Sequence, residues 1–264
     1  MNKQDVISFF DRMAPQWDAD LIRHDDVIQT ILDNARIREG ADVLDVACGT
    51  GVLFPDYLAR KVSSLTAVDI SPEMVKVARE KFPQVQVLCG DVETLQLDRK
   101  FDCIVVYNAF PHFPDPQNLI RTLSGLLKPG GTLTVAHGMS RAKIDRHHEG
   151  PASKVSVGLM HEDALEAIFS CHLKVTVKIS DERMYQVTGV LEEQAQPAPL
   201  AELTALVKYM VSHNASHAEE LASLAQKLDR SGNHRAVQML YAALADFEAG
   251  NRQLAAVLED LQTG

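Results

Sequence analysis

A short loop at residues 43–53 carries the strongest chemical signal in this sequence. The run Val-Leu-Asp-Val-Ala-Cys-Gly-Thr-Gly-Val-Leu reads as an apolar strand that ends near Asp45, followed by a turn of small residues and the start of a helix. Gly49 and Gly51 have no Cβ atom and permit positive φ values, so a bound molecule can touch the backbone of this turn. We therefore expect a ligand to lie over the start of the helix.

The charge beside the loop indicates which ligand it binds. Dinucleotide loops place a pyrophosphate at a helix N-terminus, where backbone N–H groups favour an anion. The carboxylate of Asp45 would repel that anion, but it suits an ammonium or sulfonium group. A P-loop would need a Lys-Ser/Thr pair after its last glycine, and Val52 and Leu53 stand there instead. The loop therefore favours an amino-acid-bearing cofactor over NAD, and a P-loop is excluded.

Polar residues also end the next three predicted strands. Asp69 lies 24 residues after Asp45, where a doubly wound sheet carries a carboxylate that accepts hydrogen bonds from both ribose hydroxyls. Asp91 ends the third predicted strand and Asn108 ends the fourth. Ligands of open α/β sheets bind beyond the carboxyl ends of the strands, so these residues are expected to share one site with the glycine loop.

These segments together resemble the class I S-adenosylmethionine (SAM) methyltransferases, whose first motif is Asp/Glu-x-Gly-x-Gly-x-Gly. Ala47 stands where that motif usually has its first glycine. The run at 9–18 resembles the lead-in of the small-molecule branch (type 11) that includes ubiquinone and menaquinone C-methyltransferases. Leu-Lys-Pro-Gly-Gly at 127–131 is a second hallmark, with a structural role as a break before the fifth strand.

The resemblance covers roughly residues 1 to 193 and implies a fold. The expected architecture is an α/β, doubly wound, Rossmann-like sheet of seven strands, closed by a hairpin from residues 173–179 and 184–191. It also implies SAM as the cofactor. We predict a SAM-binding domain at 1–193, a linker at 194–199 and a C-terminal α-helical hairpin at 200–264.

Roles for particular residues follow from the same resemblance. Asp69 is expected to bind the ribose, Asp91 and Val92 the adenine, and the strand that ends at Asn108 to lie beneath the methyl donor. Trp17, the only tryptophan, either anchors the first helix in the core or forms part of a lid over the cofactor. The full set of predicted cofactor-binding residues is Asp45, Ala47, Cys48, Gly49, Gly51, Asp69, Ile70, Asp91, Val92 and Asn108.

Histidine and arginine residues after strands four and five are the candidates for acceptor chemistry. His137 and Arg141 should face the pocket if strand five ends at residue 136. A histidine whose pKa lies near neutrality can take a proton from an acceptor, and both His137 and His112 are candidate catalytic residues. His147 and His148 are candidates for substrate contact, although neighbouring residues on a helix point about 100° apart and cannot easily share a metal.

The C-terminal hairpin has an interrupted apolar stripe. Asn214 and His217 stand where leucines are expected in the first helix, with His213 beside them. In an antiparallel hairpin Asn214 would lie near Asn251, and buried amides of this kind can fix the register of two helices. Alternatively His213, His217 and Glu220, which share one helix face, are the candidate ligands if the chain binds a metal.

Composition restricts the class of partner. The chain has 264 residues, a formal net charge of −10 and four cysteines without metal-binding spacing. The negative charge opposes binding to nucleic acid, and no segment reaches the ~18 apolar residues of a membrane helix. We expect a cytoplasmic protein that binds neither nucleic acid nor membrane, with a possible homodimer through the C-terminal helices.

The function predicted from the sequence is SAM-dependent transfer of a methyl group to a small-molecule acceptor. One alternative is a methyltransferase whose acceptor is bound to a metal or a metallated cofactor. Another is a SAM-binding sensor or scaffold without turnover.

Overall fold

Seven strands form one sheet in the order β3-β2-β1-β4-β5-β7-β6. β1 pairs in parallel with β2 and β4, and the parallel part of the sheet continues to β3 on one side and β5 on the other. β7 runs antiparallel to both β5 and β6, which confirms the predicted closing hairpin and the seven-stranded α/β architecture. The strands are β1 (Asp42–Val46), β2 (Ser64–Asp69), β3 (Gln86–Cys89), β4 (Phe101–Tyr107), β5 (Leu127–His137), β6 (Lys174–Ser180) and β7 (Tyr185–Val190).

This computed structural model describes residues 2–19, 21–147, 154–192, 199–230 and 234–263. Within them the helices are α1 (Lys3–Met13), α2 (Asp25–Asn34), α3 (Phe54–Ala59), α4 (Pro72–Lys81), α5 (Pro116–Ser124), α6 (Arg141–His147), α7 (Glu162–Phe169), α8 (Pro199–Arg230) and α9 (His234–Thr263). No described helix is both long and apolar enough to cross a membrane.

The chain divides into two units. The first comprises Met1–Glu162 and His172–Ala195, and the second comprises Asp163–Cys171 and Gln196–Gly264. The second unit thus includes residues 163–171, which the sequence division assigned to the first domain. Most of the predicted linker at 194–199 falls outside the described residues, and α8 begins at Pro199.

The strands that lead to the predicted site are apolar on both faces. Val43, Leu44 and Val46 of β1 are fully buried, as are Val105 and Val106 of β4. Burial on both faces is typical of parallel strands that helices cover. The polar residues at the ends of these strands therefore stand on a rigid support.

The fifth strand begins earlier than the sequence predicts. Phe101 pairs with Leu127 and Cys103 with Thr132, so residues 128–131 bulge out of the ladder. The backbone of this bulge bonds to Leu191: Gly130 N donates to the Leu191 carbonyl, and Leu191 N donates to the Gly131 carbonyl. α5 has already ended at Ser124. The Pro-Gly-Gly segment is therefore a bulge inside β5, and the prediction that it precedes the strand is wrong.

A cluster of charged residues lies at the amino ends of the parallel strands, away from the predicted site. The Asp42 carboxylate accepts hydrogen bonds from Ser64 Oγ at 2.5 Å and Lys128 Nζ at 2.7 Å, and Arg99 lies 2.9 Å from it. Asp102 accepts from the Asp42 backbone N–H and from Lys128, each at 2.8 Å. Lys128, followed by Ser64, lowers the pKa of Asp42 from 3.8 to about 2.

We expect Asp42→Asn to cost about 1 kcal/mol of unfolding free energy at pH 7, as partly exposed ion pairs do. Because the folded-state pKa is depressed, this contribution is complete above about pH 4 and is lost as the pH falls towards 2. Urea unfolding of wild type and variant between pH 7 and pH 3 checks this. A difference between the two proteins that stays constant over that range contradicts the assignment.

In the second unit, α8 and α9 run antiparallel. Asn251 Nδ2 donates to the Val211 carbonyl of α8 at 2.9 Å, and Ala205 near the start of α8 lines a cavity with Leu261 near the end of α9. The sequence predicted a polar contact between Asn214 and Asn251. In the structure the partner of Asn251 on α8 is the Val211 backbone carbonyl. The predicted stripes are only partly covered, since Leu203, Met210 and Leu224 of α8 remain exposed.

Candidate functional site

The glycine loop after β1 has three residues with positive φ. Ala47 lies at φ 55°, Gly49 at 55° and Gly51 at 85°. Ala47, Cys48 and Gly49 line a cavity at the carboxyl ends of the strands. Gly51 is not among the lining residues, and a Cβ atom there would lie 2.6 Å from the Phe54 ring. Gly51 therefore shapes the turn by packing, whereas Gly49 forms part of the cavity wall.

Asp69 at the end of β2 accepts hydrogen bonds that hold this loop in place. Its Oδ2 accepts from the Gly49 backbone N–H at 2.8 Å, and its Oδ1 accepts from the Ser71 backbone N–H at 2.9 Å. Burial nevertheless raises the pKa of this carboxyl above its ordinary value. Each oxygen retains a second lone pair, and the side chain lines the cavity. Asp69 can therefore accept hydrogen bonds from a pair of hydroxyl groups.

Asp45 lies behind the loop. Its side chain is 2% exposed, and burial, followed by the charge of Asp69, raises the pKa of its carboxyl well above the ordinary value. It is absent from the residues that line the cavity. Any attraction between Asp45 and a cationic ligand would therefore act through the loop and not by direct contact.

Asp91 and Glu93 after β3 meet the first helix. Lys3 of α1 lies 2.5 Å from Asp91 Oδ2 and 2.7 Å from Glu93 Oε2, and the Glu93 backbone N–H donates to Asp91 Oδ1 at 3.0 Å. Asp91 and its neighbour Val92 both line the cavity. Both residues predicted to bind the adenine therefore lie in the cavity wall, and the Lys3 ammonium pairs with the Asp91 carboxylate.

Residues 2–19, here called the lid segment, cover the carboxyl ends of the strands. Asp11 accepts from Ser71 Oγ at 2.6 Å, and Asp18 accepts from Thr50 Oγ1 and Lys81 Nζ, each at 2.6 Å. Trp17 lines the cavity, and its Nε1 would lie 3.9 Å from a Cβ atom on Gly49. Of the two interpretations of Trp17, this position matches the lid.

The end of β4 supplies the opposite wall. Asn108 has φ 53°, and its Oδ1 accepts from the Gly138 backbone N–H at 2.9 Å. Tyr107 lines the cavity beside it, and burial raises the pKa of the Tyr107 hydroxyl to about 12. At neutral pH this hydroxyl is therefore protonated and can act as a donor.

His112 is the candidate catalytic histidine that reaches the cavity. Its Nδ1 lies 2.7 Å from the Val155 carbonyl, which can only accept, so Nδ1 carries the proton of the neutral ring. Nε2 then carries a lone pair. The ring of Phe10 packs edge-on against the imidazole, with centroids 4.9 Å apart. His112 is thus held in a tautomer that suits a proton acceptor.

The other candidates for acceptor chemistry lie elsewhere. β5 extends to His137, which pairs with Tyr185, and its imidazole is 2% exposed against the Tyr185 ring. Neither His137 nor Arg141, at the start of α6, is among the lining residues. His137 belongs to β5 and packs against Tyr185, and Arg141 begins α6, so neither residue takes the position at the cavity that the sequence predicted. The side chain of His147 and all of His148 fall outside the described residues.

The cavity has an empty volume of about 960 Å³, part of which is open to solvent. Three carboxylates of the described residues line it, from Asp69, Asp91 and Glu93, against the single ammonium of Lys3. The walls thus fit a cationic ligand that carries hydroxyl groups. The predicted residues that line the cavity are Trp17, Ala47, Cys48, Gly49, Asp69, Ile70, Asp91, Val92, Asn108 and His112.

Several lining residues were not predicted from the sequence. They include Lys3, Glu93 and Tyr107. Glu93 and Tyr107 are each one or two residues from a predicted site residue, so adjacency to a strand end could have found them. Lys3 belongs to α1 and reaches the site only through the tertiary fold.

Comparison with known proteins identifies two families. Residues 44–135 match a family described as "Methyltransferase domain", and residues 203–261 match a domain of unknown function, DUF8180. Curated relatives include "Ubiquinone biosynthesis O-methyltransferase" of Xanthomonas campestris pv. campestris, 44% identical over 100 residues. That match covers 36% of this chain and 41% of the relative. The chain therefore spans about two fifths of the length of the curated relatives it matches.

Solved structures share the fold. A SAM-dependent methyltransferase from Aquifex aeolicus has a TM-score of 0.52 and 22% identity, with 63% of this chain and 89% of that one covered. The DhpI–SAH complex has a TM-score of 0.57 and 20% identity, with 72% of this chain and 97% of that one covered. At these identities the comparison shows that the first unit has the fold of SAM-dependent methyltransferases.

Proposed function

We propose that this chain, whose residues 44–135 match the family described as "Methyltransferase domain", transfers a methyl group from SAM to a small-molecule acceptor. The observation that carries this proposal is the position of Asp69. Its carboxylate accepts from Gly49 N of the glycine loop, and Asp69 lines a cavity together with two further carboxylates. A ligand with a ribose and a positively charged amino acid part matches both features.

The residues that line the cavity have separate roles in binding SAM. Asp69 accepts from the ribose hydroxyls, Asp91 and Val92 contact the adenine, and Ala47 to Gly49 let the ligand approach the backbone. When bound, SAM supplies a methyl group on a positively charged sulfur. Positioning of the acceptor and exclusion of water by the lid segment then account for most of the rate enhancement.

The acceptor side of the cavity is apolar, with Tyr107, Phe113 and Pro114 in its wall. An acceptor with an apolar or aromatic face fits these side chains. His112 Nε2 is the group that would take the acceptor proton. His137 would need another arrangement of the end of β5 to share that role. Because the curated relatives are named as O-methyltransferases, phenols are the first compounds to test.

The test is incubation of the full chain with methyl-labelled SAM and a cell extract fractionated by size, with Asp69→Ala as the inactive control. Label in the small-molecule fraction, above that control, supports the proposal and yields a product to identify. Label in protein or nucleic acid overturns the small-molecule acceptor. SAM binding without label in any fraction overturns turnover and favours the sensor or scaffold interpretation.

A further inference from the structure

Two histidines on one face of α8 turn their rings towards each other. His213 Nε2 and His217 Nε2 lie 3.1 Å apart, and the ring centroids are 4.3 Å apart at an interplanar angle of 72°. The methyltransferase chemistry proposed above uses neither residue. Both lie within the segment that matches the family of unknown function.

Each ring is held by a different neighbour. Glu220 Oε2 lies 3.0 Å from His217 Nδ1, and a carboxylate can only accept, so His217 carries its proton on Nδ1. Tyr209 stacks on His213 with ring centroids 5.3 Å apart and an interplanar angle of 14°. The lone pair of His217 is therefore on Nε2, the nitrogen atom that lies next to His213 Nε2, and Tyr209 stacking limits rotation of the His213 ring.

Two lone pairs 3.1 Å apart would repel each other, so a proton or a metal ion must lie between these nitrogen atoms. With Zn–N bonds of about 2.0–2.1 Å and a tetrahedral angle, two imidazole ligands have nitrogen atoms roughly 3.3 Å apart. The observed separation is within about 0.2 Å of that value. A metal that lies off the line between the two nitrogen atoms could therefore replace the bridging proton after small rotations of the two rings.

The geometry points to a divalent transition-metal site formed by His213 Nε2 and His217 Nε2, with Glu220 as the partner that orients His217. Imidazole nitrogen suits Zn²⁺, Ni²⁺ and Cu²⁺. A carboxylate on the far nitrogen of a ligating histidine fixes its tautomer and raises its basicity.

This arrangement differs from the three-ligand site considered from the sequence. Glu220 contacts the Nδ1 side of His217, so it cannot reach a metal held by the two Nε2 atoms. Within the described part of the chain, no group of three or more His, Cys, Asp or Glu side chains is placed to hold one metal. Water would fill the remaining coordination positions, and the exposure of His217, at 48%, leaves room for it.

Calorimetric titration of the full chain with ZnCl₂ tests the site. We expect one zinc ion per chain and a fall in affinity of at least tenfold in His213→Gln and in His217→Gln. In Glu220→Gln the fall should be about tenfold, the lower end of the usual effect of such partners. Glutamine is a good helix former, and circular dichroism of each variant checks that α8 is retained.

The matched control is His234→Gln. His234 is 79% exposed and lies 3.4 Å from Asp229, so it has a carboxylate neighbour and no imidazole opposite. Its variant should bind zinc within twofold of the wild type. The proposal is overturned if the wild type binds no zinc, if the His213 and His217 variants bind like the wild type, or if His234→Gln weakens binding as much as they do.

Discussion

Replacing Asp69 by alanine will weaken binding of SAM and S-adenosylhomocysteine at least about 100-fold, because two hydrogen bonds to a charged group are lost at roughly 1.5–3 kcal/mol each. The same change removes the acceptor of the Gly49 and Ser71 N–H groups. An unsatisfied buried donor costs about 1–3 kcal/mol, so the glycine loop will also lose its fixed shape. Loss of binding should therefore exceed what the ribose contacts alone supply.

Trp17 offers a direct measurement of this effect. It is the only tryptophan and lines the cavity, so its emission should change as S-adenosylhomocysteine is added to the wild type. Asp98→Ala is the control, because Asp98 is exposed and has no place in the proposed site. If folded Asp69→Ala binds the ligand within threefold of the wild type, Asp69 is not the ribose acceptor.

Gly131→Ala will lower the free energy of unfolding by about 3 kcal/mol, the upper part of the usual range for overpacking. A Cβ atom at this position would lie 2.8 Å from the Lys128 carbonyl oxygen and 3.0 Å from those of Phe101 and Asp102. All three atoms belong to the backbone of β4 and the β5 bulge, so none can rotate away as a side chain would.

The neighbouring Gly130 provides the matched variant. It has φ +76°, and a Cβ atom there would meet nothing within 4 Å, so Gly130→Ala should cost only the strain of a left-handed residue, about 1 kcal/mol. Urea unfolding of both variants measures the difference. Equal losses of unfolding free energy in the two variants would mean that the backbone of the bulge shifts to make room for the Cβ atom of residue 131. Crowding would then not be the reason that this position requires glycine.

Much of the cofactor side could be predicted because it depends on local sequence. A strand end, a small-residue turn and an acid at fixed spacing are all read within about 50 residues, and Asp69, Asp91 and Asn108 do line one cavity. The start of β5 could not be predicted in the same way. Pro129 and two glycines usually end a strand, but here pairing of Phe101 with Leu127 continues the strand beyond the bulge.

The contacts of the lid segment and of the acceptor side were harder to predict from the sequence. Lys3 meets Asp91 across 88 residues of chain, and no periodicity reports such a contact. His137 shows that the end of a strand matters, because its pairing with Tyr185 makes it part of β5. Extending β5 by that residue leaves the imidazole buried against Tyr185 and leaves His112 as the candidate base at the cavity.

Because the lid segment is held partly by exposed ion pairs, the rate of ligand exchange should depend on ionic strength. Lys3 and Lys81 are 41% and 35% exposed in their pairs with Asp91 and Asp18, so dissolved ions reach both. The screening length falls from about 10 Å at 0.1 M salt to about 3 Å at 1 M, which weakens these pairs while the buried contacts of Asp69 are largely spared. Since product release limits many enzymes, we expect moderate salt to speed the departure of S-adenosylhomocysteine in the proposed reaction while Asp69 still holds the ribose.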